Sequence, residues 1–228
     1  IVDRAGALAA DIVCDPKIGD AEYLPELHEQ TIFGWVPAAQ NKEVQKALFE
    51  HKLTAYAWEH MFDGPVHTFW ENNELAGEAA VLHACLQWGK LPLGLSVAVI
   101  GAGNTARGAL RSLNRLGACT QQFGLGMEDQ FKAALPQFDV VVNCVLWDMN
   151  RDDYLIERSD LGRMKSGALI VDVSCDHDGA IESSQPTTIK EPCRMVDGIM
   201  HYAVDHTPSL LYKTFSQNCS KIVPKYFN

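Results

Sequence analysis

The chain has 228 residues, of which 47% are hydrophobic, and a formal net charge of −10 at pH 7. This length suffices for one large or two small domains, and the hydrophobic fraction suffices for a packed core. The acidic balance argues against a nucleic-acid or anionic-membrane surface, and the sequence shows neither an apolar run of membrane-spanning length nor a signal-peptide pattern.

The cysteines indicate the redox environment. Seven are spread along the chain, without a C-x-x-C pair. Their odd number and wide spacing predict reduced thiols, hence a cytoplasmic location, and no metal site.

The first 70 residues alternate strand and helix patterns. Strand patterns at residues 11–15, 31–36 and 53–58, with a helix pattern at 42–50, predict a parallel α/β unit. Lys17 follows the first strand. It either binds a substrate carboxylate or is a solvated surface lysine.

A long helix is predicted next, from an N-cap at Asn73 to a stop at Gly89. Its small residues predict close packing between two domains. The apolar face of this helix consists of Leu75, Ala79, Leu82 and Leu86.

A G-x-G-x-x-A pattern lies between the next predicted strand and helix, an arrangement that cradles phosphate. Gly101 permits the tight turn, Gly103 lets a pyrophosphate approach bare backbone N–H groups, and Ala106 keeps the helix close to the sheet. The helix begins at Asn104 and Thr105, so its positive end would meet the anion. The pattern predicts dinucleotide binding.

The following strand, residues 119–123, bears on the choice between NADP and NAD. Its end offers Gln122 and Phe123 where an Asp or Glu would hold the ribose hydroxyls of NAD. Without that charge the sequence favours NADP, with NAD as the alternative. Arg107 is a candidate for the ribose phosphate, although a solvated helix residue is the commoner role.

Two strand patterns follow, at residues 140–145 and 169–173, with a short helix pattern between them at 159–165. Open α/β sheets bind their ligands at the carboxyl ends of such strands. Asp176 and His177 follow the second strand. They either perform acid/base chemistry or belong to a capped turn.

The last strand pattern covers residues 199–204. Thr207, followed by a proline, is predicted to cap a helix directed at the same edge of the sheet. His206 then lies at the ligand edge, whereas His201 fits a hydrogen-bonded core imidazole.

Several motifs together resemble the alanine dehydrogenase superfamily. They are N-E-L-A-G at 73–77, the Gly101 turn, V-D-V at 171–173 with Asp176, P-T-T at 186–188 and G-I-M-H-Y-A-V at 198–204. Residues 205–214 depart from the alanine dehydrogenase pattern and resemble carboxyethylornithine synthase, an opine-type enzyme related to the alanine dehydrogenases. The similarity runs from about residue 11 to residue 214, and the family's opening segment is expected before Ile1.

The resemblance implies an α/β fold, with a Rossmann-type doubly wound parallel sheet domain and a second, truncated α/β substrate domain. It assigns residues 1–72 to the substrate domain, 73–90 to a connecting helix, 91–206 to the dinucleotide-binding domain and 207–228 to a helix returning towards the first domain. Members of the family are generally homo-oligomers.

The resemblance also implies a reaction: reductive condensation of a keto acid, pyruvate, with the side-chain amine of an amino acid such as ornithine or lysine. NADPH would deliver hydride to the imine carbon, with its nicotinamide over Val145 and Leu146. Lys17 matches the family's substrate-binding lysine. Asp176 matches its catalytic aspartate, which would stabilise the positive iminium.

One position departs from the family pattern. Alanine dehydrogenases carry a His in the loop after the second strand, and this chain has Pro37 there. Since proline cannot exchange protons, we expect the proton donor at His206, with His177 as the second candidate, unless this member has lost activity. Asp205 and Thr207, on either side of His206, are assigned to substrate binding.

Three functions stay open. The leading prediction is an opine-type oxidoreductase that acts on CH–NH groups. An alanine-dehydrogenase-like enzyme that fixes or releases ammonia is the nearest rival. A non-catalytic nucleotide-binding protein is the third.

Overall fold

The structure is a computed structural model, and it describes residues 1–39, 41–148, 151–175 and 179–227. The chain forms two compact units, Ile1–Trp70 and Glu71–Asn228. Every helix within the described ranges is too short or too polar to cross a lipid bilayer. The assignment of one part of the chain to substrate binding and of another to dinucleotide binding stays a prediction.

The first unit is a small parallel sheet with flanking helices. Its elements are α1 (Arg4–Leu8), β1 (Ile12–Cys14), β2 (Thr31–Gly34), α2 (Lys42–Glu50), β3 (Thr54–Ala57) and a hairpin of β4 (Phe62–Asp63) and β5 (Val66–His67). The strands β1, β2 and β3 are adjacent in that order and parallel. The predicted parallel α/β arrangement is therefore confirmed.

Local signals explain α2 within this unit. The Asn41 side chain accepts hydrogen bonds from the backbone N–H groups of Glu43 and Val44, which satisfies donors that the first turn leaves unpaired. Val44 is buried in the same core as Ile32 of β2. The cap and the apolar contact together fix where the helix begins and which face it buries.

The second unit contains a mixed six-stranded sheet, counted over the described residues. From Trp70 onward its elements are α3 (Trp70–Trp88), β6 (Ser96–Ile100), α4 (Asn104–Arg115), β7 (Cys119–Phe123), α5 (Glu128–Ala134), β8 (Val140–Asn143), β9 (Leu169–Asp172), β10 (Cys193–Val196), β11 (Ile199–Tyr202) and α6 (Tyr212–Ile222). The strand order is β10-β11-β9-β8-β6-β7, and only the β10–β11 pair is antiparallel.

The parallel strands of this sheet follow the doubly wound order 2-1-3-4-5 when counted along the chain from β6. The strands β8 and β9 are buried along their whole length, as continuous apolar runs between two covered faces require. One face packs against α3 and α4, and the other packs against α5 and the segment around Leu161. The predicted Rossmann-type fold is confirmed.

The helices α3 and α4 meet backbone to backbone at two glycines. A Cβ atom on Gly77 would lie 2.1 Å from the carbonyl oxygen of Thr105, and one on Gly108 would lie 1.8 Å from the carbonyl oxygen of Glu74. Only glycine permits such an approach. The small residues of α3 therefore support close packing inside the second unit.

Two helix predictions need correction. The helix predicted to start after Asn73 begins at Trp70, so Asn73 lies inside α3 and does not cap it. Nothing in residues 70–72 breaks a helix, and Glu71 stabilises the first turn through the helix dipole. The short helix predicted at 159–165 is present, but as a 3-10 helix over Arg158–Arg163, and a capping box between Glu157 and Asp160 holds its start.

A further strand, β10, was not predicted from the sequence. This strand pairs antiparallel with β11 through Asp197 and Gly198, which both have positive φ values, +50° and +82°. An Asp-Gly pair between two strands is a strong hairpin signal. β11 itself ends at Tyr202, two residues before the predicted end.

The glycine contact between α3 and α4 predicts the effect of Gly108→Ala. Overlap of the new methyl group with the Glu74 carbonyl should cost about 1–3 kcal/mol or more, which outweighs the roughly 1 kcal/mol that alanine gains in a helix interior. We therefore expect a lower free energy of unfolding, measured by urea denaturation. Gly162→Ala is the control, because nothing lies within 4 Å of its added Cβ. Equal stability of the two variants would contradict the packing described here.

Candidate functional site

The segment between β6 and α4, residues 101–103, is called the glycine turn below. It leaves open space above the first turn of α4. Gly101 has a φ of +112°, in the left-handed range, and its N–H donates to the Phe123 carbonyl at 2.8 Å. Gly103 precedes α4 with extended backbone, and nothing lies within 4 Å of a Cβ built on it. Because a glycine N-cap has no side chain to bond the first N–H groups of the helix, these groups can bind an anion.

This turn lies at the switch point of the sheet. It follows β6, and the loop from Cys144 to Trp147 follows β8, the strand on the other side from β7. Doubly wound sheets bind ligands in the crevice at such a point. The fold therefore brings Gly101 and Val145, two predicted cofactor residues, to one edge.

A pocket of about 230 Å³ opens beside the turn. Most of its lining side chains are apolar, among them Ile100, Phe123, Met127, Val145 and Trp147. An apolar slot next to an anion cradle suits a flat heterocycle attached to phosphates. Leu146, the other residue predicted beside the cofactor, is 74% exposed.

The end of β7 carries an amide, as the sequence indicated. Gln122 Nε2 donates to the Gly101 carbonyl at 2.8 Å, so this side chain supports the turn itself. A carboxylate, that of Glu128, does line the pocket farther along the chain. Arg107, the candidate for a ribose phosphate, donates to Asn104 Oδ1, and its Nε lies 3.6 Å from Glu74 Oε1.

A buried polar pair at the ends of β8 and β9 was not identified from the sequence. Asn143 Nδ2 donates to Asp172 Oδ1 at 2.9 Å, and both side chains are buried. Asn143 Oδ1 accepts from the Val145 N–H at 3.2 Å, which fixes the start of the loop after β8. One signal for this pair was present in the sequence, because each of the two apolar strands ends in a polar residue. In the structure these two residues are in register with each other.

Cys144 lies directly after this pair. Its burial, with a smaller contribution from the Asp172 carboxylate, raises the pKa of the thiol. The thiol is therefore neutral at physiological pH and a poor nucleophile.

The loop after β9 contains the predicted catalytic aspartate. Asp176 and His177, the second candidate for the proton donor, lie outside the described residues. The described part of this loop, Val173 to Cys175, leaves the carboxyl end of β9, which is the neighbour of β11 in the sheet. The segments after β9 and β11 therefore start at the same edge.

The turn after β11 holds His206 in a left-handed conformation, with φ +64° and ψ +34°. Such a conformation costs a non-glycine residue on the order of 1–3 kcal/mol and is often associated with function. His206 Nδ1 lies 2.9 Å from Asp205 Oδ1, and the same oxygen accepts the His206 backbone N–H at 2.7 Å.

Thr207 does not cap a helix as predicted. A 3-10 turn covers Thr207–Leu211, and α6 begins only at Tyr212. The Thr207 hydroxyl donates to the Ala76 carbonyl of α3 at 3.0 Å, and the residue is only 2% exposed. Its side chain therefore ties the turn after β11 to α3, and its assignment to substrate binding stays a prediction.

His201 is the hydrogen-bonded core imidazole that the sequence predicted. Its Nδ1 bonds the Ile199 carbonyl at 3.1 Å, and its Nε2 bonds the Ser183 hydroxyl at 2.8 Å. Burial lowers the pKa of this imidazole, so it stays neutral.

In the first unit, Lys17 follows β1 at the carboxyl edge of the small sheet. Its backbone N–H donates to Asp15 Oδ1 at 2.9 Å, and its Nζ lies 3.2 Å from Asp20 Oδ2. Pro37 lies beside the same loop, since its Cδ is 2.6 Å from the position of a Cβ on Gly19. The position at which the resemblance predicts a histidine in alanine dehydrogenases is therefore next to the Lys17 loop.

Comparisons with known proteins agree with the fold described above. The family model of the alanine dehydrogenase/PNT C-terminal domain matches residues 126–228. An N(5)-(carboxyethyl)ornithine synthase of Clostridium botulinum is 30% identical over 157 residues, which are 68% of this chain and 49% of the relative. An alanine dehydrogenase of Halomonas elongata is 28% identical over 91% of this chain and 66% of the relative.

A solved structure of an L-alanine dehydrogenase superposes with a TM-score of 0.80, covering 100% of this chain and 73% of that one. At 20% sequence identity this likeness shows the fold alone. The chain spans about half the length of the carboxyethylornithine synthases that it matches.

The open space at Gly103 predicts that a methyl group there spares the fold and obstructs the anion. We expect Gly103→Ala to lose about 1 kcal/mol of stability or less as a poorer N-cap. Its affinity for NADPH or NADH should fall at least about tenfold, as expected for loss of one charge-assisted hydrogen bond. Fluorescence titration of each dinucleotide measures this.

Gly101→Ala is the comparison variant. Its φ of +112° and the Cys144 carbonyl 2.9 Å from the added Cβ should make it unstable whether or not a ligand is present. Unchanged affinity of Gly103→Ala for both dinucleotides would contradict the anion cradle.

Proposed function

Because this chain belongs to the alanine dehydrogenase/PNT superfamily, we propose that it reduces the imine formed from pyruvate and the side-chain amine of an amino acid such as ornithine or lysine. The resemblance inferred from the sequence is thus confirmed at the level of the superfamily. The observation that carries the proposal is the open glycine turn at the switch point of a parallel sheet, beside an apolar pocket. The choice of amine rests on the identity to the carboxyethylornithine synthases.

The residues of the glycine turn fit a nicotinamide dinucleotide, which supplies a hydride when bound. The first N–H groups of α4, at Asn104, Thr105 and Ala106, would bind its pyrophosphate at the positive end of the helix. We assign Val145 and Leu146 to the face of its nicotinamide ring.

We propose NADP in preference to NAD. At the end of β7, Gln122 places no negative charge that would repel a ribose phosphate, and nothing lies within 4 Å of a Cβ built on Gly124. The Glu128 carboxylate in the pocket is the feature that would instead favour the free ribose hydroxyls of NAD. Parallel titrations with NADPH and NADH distinguish the two.

The chemistry requires a group that exchanges protons near neutral pH and a negative charge for the iminium. We assign the proton transfer to His206, whose Nδ1 lies 2.9 Å from Asp205 Oδ1. We assign the stabilising charge to Asp176, from its match to the family's catalytic aspartate.

His206→Asn tests the first assignment. Asparagine tolerates positive φ better than most residues, so the turn should keep its conformation while the proton donor is lost. We expect kcat to fall about 10²-fold to 10⁴-fold with little change in the melting temperature. Steady-state assays between pH 6 and 8 measure this, and an unchanged kcat over that range would remove His206 from the mechanism.

Lys17 is assigned to the pyruvate carboxylate. Its ammonium already has a counter-ion, Asp20, at 3.2 Å, and the lysine side chain is 45% exposed. A substrate carboxylate would therefore share or displace Asp20 when it binds Lys17.

Lys17→Met should raise the KM for pyruvate about tenfold to 100-fold, the range expected for one hydrogen bond to a charged group. The KM for the amine should change much less. Lys52→Met is the matched control, because Lys52 is also an exposed lysine of the first unit in an ion pair, with Glu29 at 2.9 Å. Equal KM values for pyruvate in the two variants would show that Lys17 is a solvated surface lysine that does not bind the carboxylate.

The amine specificity separates the open functions. With the full-length protein, NADPH and pyruvate, we expect faster oxidation with ornithine or lysine than with ammonia, and mass spectrometry should detect the secondary amine. Faster turnover with ammonia would favour the alanine dehydrogenase reaction. Dinucleotide binding without turnover of any amine would indicate a non-catalytic nucleotide-binding protein.

A further inference from the structure

The N-E-L-A-G segment at residues 73–77 has no part in the chemistry proposed above, yet it contacts α4 through the Glu74 side chain and through its backbone. Glu74 projects from α3 towards α4 and is only 5% exposed. A buried carboxylate needs charge partners, because desolvation otherwise penalises it strongly. Glu74 has two, both from α4: Arg107, at 3.6 Å, and Arg111, which donates to its other oxygen.

These two arginines differ in what else they contact. Arg111 also pairs with Glu78 of α3 at 3.0 Å, so its guanidinium only links the two helices. The guanidinium of Arg107 instead donates to the side chain of Asn104, the first residue of α4. A chain of contacts therefore runs from buried Glu74 through Arg107 to the first turn of the helix.

The contact with Arg107 determines which way the Asn104 amide is turned. A guanidinium has only donors, so the amide atom that faces it must be the oxygen. The other amide atom, Nδ2, is then the one turned away from Arg107, and it is a donor. At a helix N-terminus that binds an anion, a donor stabilises the ligand, whereas an oxygen in its place would repel it.

We propose that Glu74 and Arg107 are positioning residues that hold the Asn104 amide with its donor directed at the dinucleotide pyrophosphate. This inference rests on the proposed function, since it requires an anion at the first turn of α4. Arg107 acts here through Asn104. Its guanidinium shares the single negative charge of Glu74 with Arg111.

A double-mutant cycle separates this role from direct attraction between Arg107 and the cofactor. In the wild-type protein, Arg107→Met should weaken NADPH binding about threefold to tenfold, because the amide can then rotate. In an Asn104→Ala background the same substitution should have little further effect. A direct charge effect of Arg107 would instead weaken binding equally in both backgrounds.

Two further variants test whether the Asn104 side chain acts on the anion as a donor and whether Glu74 holds Arg107 in place. Asn104→Asp still accepts from Arg107 but offers no donor and adds a negative charge, so it should bind NADPH more weakly than Asn104→Ala does. Glu74→Gln should weaken binding about as much as Arg107→Met, because Arg107 loses its fixed partner. Arg111→Met is the matched control. It removes the other arginine bound to Glu74, and we expect unchanged affinity.

All affinities are measured by fluorescence titration, with the melting temperature of each variant recorded alongside. An additive cycle, tighter binding by Asn104→Asp than by Asn104→Ala, or equal effects of Arg107→Met and Arg111→Met would overturn this inference while leaving the proposed function intact. If the wild-type protein binds neither NADPH nor NADH, both the proposed function and this inference fail.

Discussion

The backbone contact between α3 and α4 is the constraint on which the site depends. Gly77 and Gly108 let the two helices approach to a distance that any Cβ would prevent. This contact sets the position of α4 against β6, and hence where its first turn lies relative to the edge of the sheet. The same stretch of α3 also accepts the Thr207 hydroxyl at the Ala76 carbonyl, so one helical segment positions both the glycine turn and the turn after β11.

The site that we propose binds an anion although the chain carries a net charge of −10. At physiological ionic strength, charges more than about 8 Å away are largely screened, so groups in direct contact dominate. The contact groups here are backbone N–H donors at the start of α4, which carry partial positive charge without a titratable side chain. Binding through these groups should therefore depend little on pH, which suits a cofactor site beside acid/base chemistry.

The sequence predicted the fold well where a single pattern decides the structure. The apolar runs at β6, β8 and β9 and the glycines of the turn each have one physical interpretation, and the structure confirms the parallel, doubly wound sheet. The site was less predictable because its polar contacts join residues far apart in the chain. Asn143 and Asp172 are 29 positions apart, and only strand register brings them together.

The prediction of helix ends failed for a related reason. Thr207 has the residue type of an N-cap, but the carbonyl of Ala76, 131 positions earlier, accepts its hydroxyl instead. Local propensity is worth about 1 kcal/mol at a cap, so a tertiary hydrogen bond that is satisfied in the buried interior can override it. The strained turn that precedes Thr207 follows from the same contact. His206 keeps its positive φ because its neighbours are held on both sides, by the bond of Thr207 to α3 and by the bridge of Val204 to Thr187. A strained residue held in this way at the carboxyl edge of the sheet supports the role in proton transfer that we propose for His206, since glycine would fit the same turn without strain.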